Sequence, residues 1–349
     1  MKVQIISRVT AEPRCRGNAA YLLDLMRGLE TGGVELDFSL LDVPSTPPLR
    51  TWDDLASRAE IDQALARFAA FAPDAVIVNY VYLAPILDAL PRDALTAILT
   101  IDVRSRRFES FQSEGLPMDG MVWTEELEAS LLSKARLLIA IQPEEAAILQ
   151  RLAPDAAVVL APFSMLEKST PYPEIPGRCL FVGSDADHNV FGLRWFLREA
   201  WPLVLAEAPG ASLDVCGSIG RRFKESYPKT VFHGRLDDLD PYYGAAQAVV
   251  VPLRVGSGLE IKLVEAMAYG KACVVSSRGL AALPPGCAGA VMPGEDAATF
   301  ARAVVRALTD DALRRRVGQN ALACVREHFN PQKAHGELIE RLRLGMVRR

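Results

Sequence analysis

The stretch from Val249 to Ser277, VVVPLRVGSGLEIKLVEAMAYGKACVVSS, reads as a buried strand, a glycine-rich turn, a helix and a second buried strand. The β-branched run ends at Pro252, and Gly256, Ser257 and Gly258 form the turn. Apolar residues then recur at helical spacing to about Tyr269, before the uninterrupted run Ala272–Ser276. Strand, helix and strand in that order make one unit of a parallel sheet. The turn also carries chemistry. Glycines let the backbone approach a ligand closely, and the N–H groups at a helix start favour an anion. Arg254 and Lys262 flank the turn and bring the charge to neutralise a diphosphate. Glu265, within about the first turn of the helix, either complements the helix dipole or accepts hydrogen bonds from ligand hydroxyls.

The same alternation runs along the whole chain. In the first half, strands are expected at Val3–Ser7, Leu36–Leu41, Ala75–Asn79, Leu95–Ile101, Leu137–Ile141 and Ala157–Leu160. Amphipathic helices over Asn18–Leu29 and Asp53–Phe71 lie between them. The first strand, the Gly17-Asn18 turn and a helix look like a Rossmann opening, but without the GxGxxG of a dinucleotide enzyme. APFSMLEKSTPYPEIPGR, from Ala161 to Arg178, has four prolines and no apolar period, and reads as an interdomain linker. Strands then resume at Cys179–Val182, Ser212–Cys216, Thr230–Phe232, Ala248–Pro252, Ala272–Ser276 and Ala290–Met292. Helices are expected over Val190–Ala206, Pro241–Ala246, Asp296–Leu308 and Asp310–His328.

Composition narrows the function classes. Of 349 residues half are apolar and 23% charged, which excludes wholesale disorder, and the length suggests two domains. A net charge of −4 argues against a nucleic-acid partner held by a broad basic face. Residues 1–165 carry net −8 and residues 166–349 net +4. A solvated surface with a basic tail (Arg341, Arg343, Arg348, Arg349) explains this, and so does a second half that handles an anion. The start MKVQIIS is no signal peptide, and no segment reaches the roughly 20 apolar residues of a membrane span. A cytoplasmic protein is expected, with peripheral contact at the inner face of a membrane left open. The cysteines, Cys15, Cys179, Cys216, Cys273, Cys287 and Cys324, include no CxxC and read as reduced core thiols.

Arg254, Gly256, Ser257, Gly258, Lys262, Glu265 and Ala266 follow the order R-x-G-S-G-x-x-x-K-x-x-E-A, and Tyr269-Gly270-Lys271 then CVVSS continue it. Upstream stand FVGS at Phe181–Ser184, Asn189, LRWFLREAWPLVLAEAP, LDVCGS and FHGRLDDLDPYY. Together these resemble the second domain of retaining glycosyltransferase family 4, the group 1 glycosyltransferases. The resemblance covers most of residues 178–330 and the first domain more loosely. It implies an α/β protein of the GT-B fold, two Rossmann-like domains facing across a cleft. Residues 1–165 would bind the acceptor, residues 166–330 the nucleotide sugar, and residues 331–349 would form a helix returning to the first domain. It also implies transfer of a hexose-type sugar, with retention, from a nucleoside diphosphate sugar to a glycan, a lipid-linked sugar or a small molecule. No cofactor and no metal are expected, since basic residues and helix N-termini would stabilise the leaving diphosphate.

Three departures from that family stand out. Ser257 occupies the place of the first carboxylate of Glu-x7-Glu, eight residues before Glu265. Ser184 and Asn189 stand roughly where relatives carry Arg and Lys, leaving the diphosphate to Arg254 and Lys262. The family's first-domain His-Asp is here Ile101-Asp102, and His188, His233, His328 and His335 all follow the linker. No first-domain histidine is therefore expected to act as a base or donor, and Asp102 is the nearest polar residue in its place.

The resemblance makes Asp102, Lys262 and Glu265 the catalytic candidates. It puts Gly183, Ser184, Arg254, Gly256, Ser257, Gly258, Leu259, Lys262 and Glu265 on the donor side, and Gly17, Asn18, Asp102 and Arg104 on the acceptor side. Asp185-Ala186-Asp187 has the form of a metal-binding D-x-D, but reads as solvated loop carboxylates. Arg104, Arg106 and Arg107 read as an exposed helix face or as a site for an anionic acceptor. Glu125, Glu126 and Glu128 read as the acidic first turn of a helix capped by Thr124. The run Arg314–Arg316 reads as solvated, and Trp195, Phe196 and Trp201 as core. Two rival readings remain: a sugar-nucleotide epimerase on the same fold, which needs no acceptor, and a protein that binds the nucleotide sugar without turnover.

Overall fold

The computed structural model describes residues 1–10, 17–42, 54–118 and 120–347. Cys15, Asp53, Arg348 and Arg349 lie outside the described residues. The chain divides into two compact units, Met1–Ser164 with Ser257–Leu259 and Pro331–Arg349, and Met165–Gly256 with Glu260–Asn330.

In the first unit the strands are β1 (Lys2–Ser7), β2 (Glu35–Leu40), β3 (Ala75–Asn79), β4 (Leu95–Leu99), β5 (Leu137–Ala140) and β6 (Ala157–Leu160). They form one parallel sheet in the order β2-β1-β3-β4-β5-β6. The inner strands β3, β4 and β5 are buried at every residue and correspondingly aliphatic, whereas the edge strands β2 and β6 are partly exposed. The helices are α1 (Gly17–Thr31), α2 (Arg58–Phe71), α3 (Arg104–Ser113), α4 (Glu125–Leu132) and α5 (Pro143–Leu152). Helix α2 begins later than its apolar period suggests because Ser57 and Glu60 close a capping box at its start.

The second unit repeats the plan. Its strands β7 (Arg178–Val182), β8 (Ser212–Cys216), β9 (Thr230–Gly234), β10 (Ala248–Val251), β11 (Ala272–Val275) and β12 (Val291–Pro293) run parallel in the order β12-β11-β10-β7-β8-β9. Helix α6 (Asp187–Trp195) passes through a wide turn at Phe196–Ala200 into α7 (Trp201–Glu207). Then come α8 (Asp240–Ala245), α9 (Ile261–Ala268), α10 (Ser277–Ala281), α11 (Ala297–Thr309) and α12 (Asp311–Cys324). Phe196, Trp201 and Phe300 are fully buried and meet ring to ring, Phe196 and Phe300 edge-on with centroids 5.6 Å apart. Helix α13 (Pro331–Val347) belongs to the first unit, where Ala334, His335, Leu338 and Leu342 are buried.

Two expectations need correction. Cys287 and Cys324 are joined by a disulfide, with Cα atoms 5.5 Å apart, because α12 packs beside the turn that carries Cys287. Cys179, Cys216 and Cys273 are free and buried, and burial pushes their thiols up to about 12. Arg314 is not solvated: it is buried, with Nε 3.1 Å from Glu174. Helix α13 also carries His335 into the first unit, where it lies under Gly28 with Nε2 3.4 Å from Asp24. The proline-rich segment is tied to the second unit, for Met165, Lys168 and Ile175 donate their N–H groups to Phe329, Ala268 and Ala245.

The first unit also encloses a charge pair that no local pattern marks. Arg8 Nε lies 2.6 Å from Glu60 Oε1, and both side chains are about 2% exposed or less. Burial alone would raise the Glu60 carboxyl, but hydrogen bonds from Arg8 and Ser57 outweigh it and hold it below the ordinary range. Its contribution to stability is therefore present above the unfolded carboxylate pKa and lost as pH falls through the lower folded value. Glu60→Gln would strand the Arg8 cation and should cost about 3–5 kcal/mol. Urea unfolding at neutral pH checks this, and a loss under about 1 kcal/mol would contradict it.

Candidate functional site

In an open parallel sheet, ligands bind beyond the carboxyl ends of the strands, where neighbouring connections leave in opposite directions. In the second unit that place is the gap between β7 and β10, and the donor candidates follow these two strands. Gly183 and Ser184 leave β7, and Asn189 stands on the first turns of α6. Asn189 Nδ2 donates to Ser184 Oγ at 3.2 Å, while its Oδ1 accepts from the Lys262 ammonium. Lys262, on the first turn of α9, also lies 2.5 Å from Glu260 and over the Phe181 ring at 5.7 Å. His188 stands 3.9 Å from the same Glu260. Phe181, His188, Asn189, Pro252 and Lys262 line a small cavity. Lys262 is thus a largely buried cation facing a cavity and compensated by one carboxylate.

Arg254 and Glu265 have other partners. Arg254 Nη1 donates to the Glu295 carbonyl at 2.7 Å, and its guanidinium covers Trp195 at 4.8 Å. Glu265 stands more than a turn inside α9, past the reach of the helix start, so dipole complementation is not its role. It accepts from Tyr243 Oη at 3.1 Å and Lys168 Nζ at 3.3 Å, beside the stacked rings of Tyr243 and Tyr269. Asp187 pairs with Arg222 at 3.2 Å, and Asp185 accepts from Ser218 at 3.2 Å. Among the described residues no three His, Cys, Asp or Glu side chains are grouped to hold a metal ion.

In the first unit, the acceptor candidates Gly17 and Asn18 come after β1, and Asp102 and Arg104 after β4. Asn18, at the start of α1 after Gly17, donates to Tyr80 Oη at 3.3 Å. Tyr80 follows β3 at φ 77° and stacks on Tyr82. Burial first, then the Asp102 charge, raises its hydroxyl well above the ordinary tyrosine range. Ile101 is held at φ 36°, a left-handed conformation that costs a β-branched residue free energy and turns the chain sharply before Asp102. Asp102 is buried, and its Oδ1 has no hydrogen-bond partner. Its Oδ2 lies 3.6 Å from Arg104 and 3.7 Å from Arg107. Of the three arginines, only Arg106 fits the exposed-face reading, paired with Glu109 at 3.2 Å. Arg104 is buried beside Trp123.

Two buried carboxylates escaped the sequence reading. Glu128 does belong to the acidic turn that Thr124 caps, but it points inward and accepts from the N–H groups of Arg104 and Ser105, both at 2.8 Å. Glu145, in the first turn of α5, accepts from Val103 N at 3.1 Å and Gly258 N at 3.0 Å. Its only sequence signal is that it stands four residues before the buried Leu149, on the same helix face. Burial, then the negative charge of Asp102, pushes the Glu145 carboxyl up to about 8. The turn Ser257–Leu259 accordingly packs with the first unit, Ser257 Oγ donating to Val103 O at 3.4 Å. The Gly258 N–H, expected to face a diphosphate, is here taken by Glu145.

Comparison with known proteins agrees with this architecture. Residues 176–310 match the family described as glycosyl transferases group 1. A sucrose-phosphate synthase from Thermosynechococcus elongatus superposes with a TM-score of 0.74 at 18% identity, over 100% of both chains. HepE of Anabaena, solved with UDP, gives 0.66 at 13% identity over 98% of this chain and 99% of its own. A trehalose 6-phosphate synthase from Burkholderia multivorans gives 0.65 at 14% over 99% and 97%. An uncharacterized 44.6 kDa protein in the cps region of Klebsiella pneumoniae is 21% identical over 173 residues, 46% of this chain. That match spans 45% of the Klebsiella protein, about half its length. The fold is GT-B, and residues 176–310 are similar to the group 1 glycosyltransferases.

The geometry around Gly258 has a direct consequence. Its φ is +84°, and a Cβ there would sit 2.9 Å from the Ile101 carbonyl oxygen. Gly258→Ala therefore adds left-handed strain to a close contact with backbone, and should lower stability by about 1–3 kcal/mol. A thermal unfolding midpoint equal to the parent's would refute this.

Proposed function

We propose that the protein is a glycosyltransferase that moves a hexose-type sugar from a nucleoside diphosphate sugar to a glycan, a lipid-linked sugar or a small molecule, with retention and without a metal. The observation that carries this reading is Lys262, a largely buried cation at a helix start that faces the cavity beyond β7 and β10. HepE, solved with UDP and with UDP and glucose, and the pneumococcal transferase GtfA, solved with UDP and GlcNAc, share the fold and support a UDP-type donor.

In the proposed reaction, the bond between the anomeric carbon and the diphosphate oxygen breaks. The acceptor hydroxyl oxygen joins that carbon on the same face and passes its proton to the departing diphosphate oxygen. Lys262 leaves Glu260 to meet the diphosphate, where negative charge grows as the bond breaks. Glu265 accepts from the ribose hydroxyls. Arg254 adds charge by exchanging Glu295 for phosphate. Asp102 and Arg104, with Gly17 and Asn18, serve the acceptor in the first unit. No helix among the described residues is long and apolar enough to cross a membrane. The reading places the reaction in the cytoplasm, with peripheral membrane contact where the acceptor is lipid-linked.

Charged hydrogen bonds contribute about 1.5–3 kcal/mol, so Glu265→Gln should weaken nucleotide binding roughly ten- to hundredfold. Lys262→Ala should weaken UDP or GDP by a similar factor, yet leave uridine or guanosine nearly unaffected. Ser257→Ala should be mild. Calorimetric titration reads all of these, and parent-like affinity for UDP and GDP in both charged-residue variants would remove the assignment. Transfer or donor hydrolysis should also survive a chelator. Activity lost on chelation and restored by manganese or magnesium would contradict the metal-free part of the proposal.

A further inference from the structure

Glu145 accepts through a single oxygen from backbone N–H groups of two separate chain segments. Val103 N, at the start of α3, and Gly258 N, in the glycine-rich turn, converge on Oε1 at 3.1 and 3.0 Å. The other oxygen, Oε2, is buried and has no hydrogen-bond partner. Around it, the loop before α3 contributes Asp102, whose Oδ1 is likewise buried without a partner. Helix α4 contributes Glu128, already accepting from Arg104 N, Ser105 N and Ser105 Oγ. The cations of α3, Arg104 and Arg107, lie against Asp102 at 3.6 and 3.7 Å. The Tyr80 hydroxyl, from the end of β3, feels Asp102 as well. Glu145 thus feels the negative charge of both Asp102 and Glu128.

We propose that Glu145 is a positioning residue for the glycine-rich turn: its carboxyl clasps Gly258 to the start of α3 while it carries a proton, and the clasp weakens as that proton becomes easier to lose. The clasp stands on the geometry alone; its bearing on donor binding rests on the proposed function.

The direction with pH follows from linkage. While the turn is closed, burial and then the Asp102 charge keep Glu145 protonated up to about pH 8. Once the turn opens and water reaches the carboxyl, it titrates near the ordinary glutamate value of about 4.3. The open form therefore binds fewer protons than the closed form throughout the interval between these two values. Opening becomes about tenfold easier per pH unit across that interval, and gains nothing further once both forms are ionised. Asp102 and Glu128 keep the interval wide by repelling the Glu145 anion in the closed form.

Hydrogen–deuterium exchange on the full chain without ligand tests this in the peptide spanning residues 254–262. Rates measured from pH 5.5 to 9.5, corrected for the intrinsic base-catalysed rate, report opening of the turn. In the parent, protection of the peptide should fall by up to about a hundredfold between pH 5.5 and 8 and then level off. Glu145→Gln keeps an oxygen that accepts from both N–H groups but has no proton to lose, so its protection should stay high and flat. Glu145→Ala should be weakly protected and flat. A flat parent profile, or the same slope in Glu145→Gln, would overturn the proposal, and neither comparison depends on the alanine variant folding. UDP titration of the parent and Glu145→Gln tests the functional reading separately. UDP binding to neither protein would sink that reading and leave the exchange result standing.

Discussion

A parallel strand can be followed by its neighbour only after a crossover, so every connection of a parallel sheet leaves at the strands' carboxyl ends and returns at their amino ends. Both sheets of this protein are wholly parallel, and that constraint governs where its polar chemistry gathers. The strands themselves are nearly continuous aliphatic runs, covered by helices on both faces, and have no room for a functional side chain. Polar groups are left to the loops beyond the carboxyl ends. Gly183, Ser184 and the Pro252–Gly256 segment stand there in the second unit, and Asn18, Tyr80 and Asp102 in the first.

The buried charges differ in how completely they are compensated. Arg8 and Glu60 satisfy one another through two hydrogen bonds and read as structural. Lys262 has Glu260 and Asn189, partners that a diphosphate could replace in the proposed reaction. Asp102 and Glu145 each keep one buried oxygen without a partner. An unsatisfied buried oxygen costs more than an ordinary hydrogen bond contributes, so such atoms concentrate where proton or ligand exchange takes place. Ile101, strained at φ 36°, stands directly beside them.

The sequence legibly marked the strands, since β-branched runs between turn residues need no tertiary information. Each of the twelve strands among the described residues overlaps an expected run, with ends that agree to within two residues. The same holds for Gly256-Ser257-Gly258, whose residue types announce a turn that side chains cannot occupy. Ionisable groups were harder. Glu144 and Glu145 are adjacent and chemically alike, and only their phase on α5 separates an exposed carboxylate from a buried one. Glu128 was assigned to the first turn of its own helix, but it also caps the start of α3.

What the sequence determined by itself was local: the alternation of strand and helix, two sheets' worth of each, and a glycine turn followed by a lysine and a glutamate. These follow from backbone propensity and apolar period, which act over a few residues. Tertiary structure alone decided that Cys287 would meet Cys324, that α13 would bring His335 beneath Gly28, and that Arg104 would be buried rather than exposed. It alone placed Gly258 on Glu145, residues 113 positions apart. The reason is physical. The charge state and partners of an ionisable side chain depend on its desolvation and on charges from distant segments, and neither exists until the chain has folded.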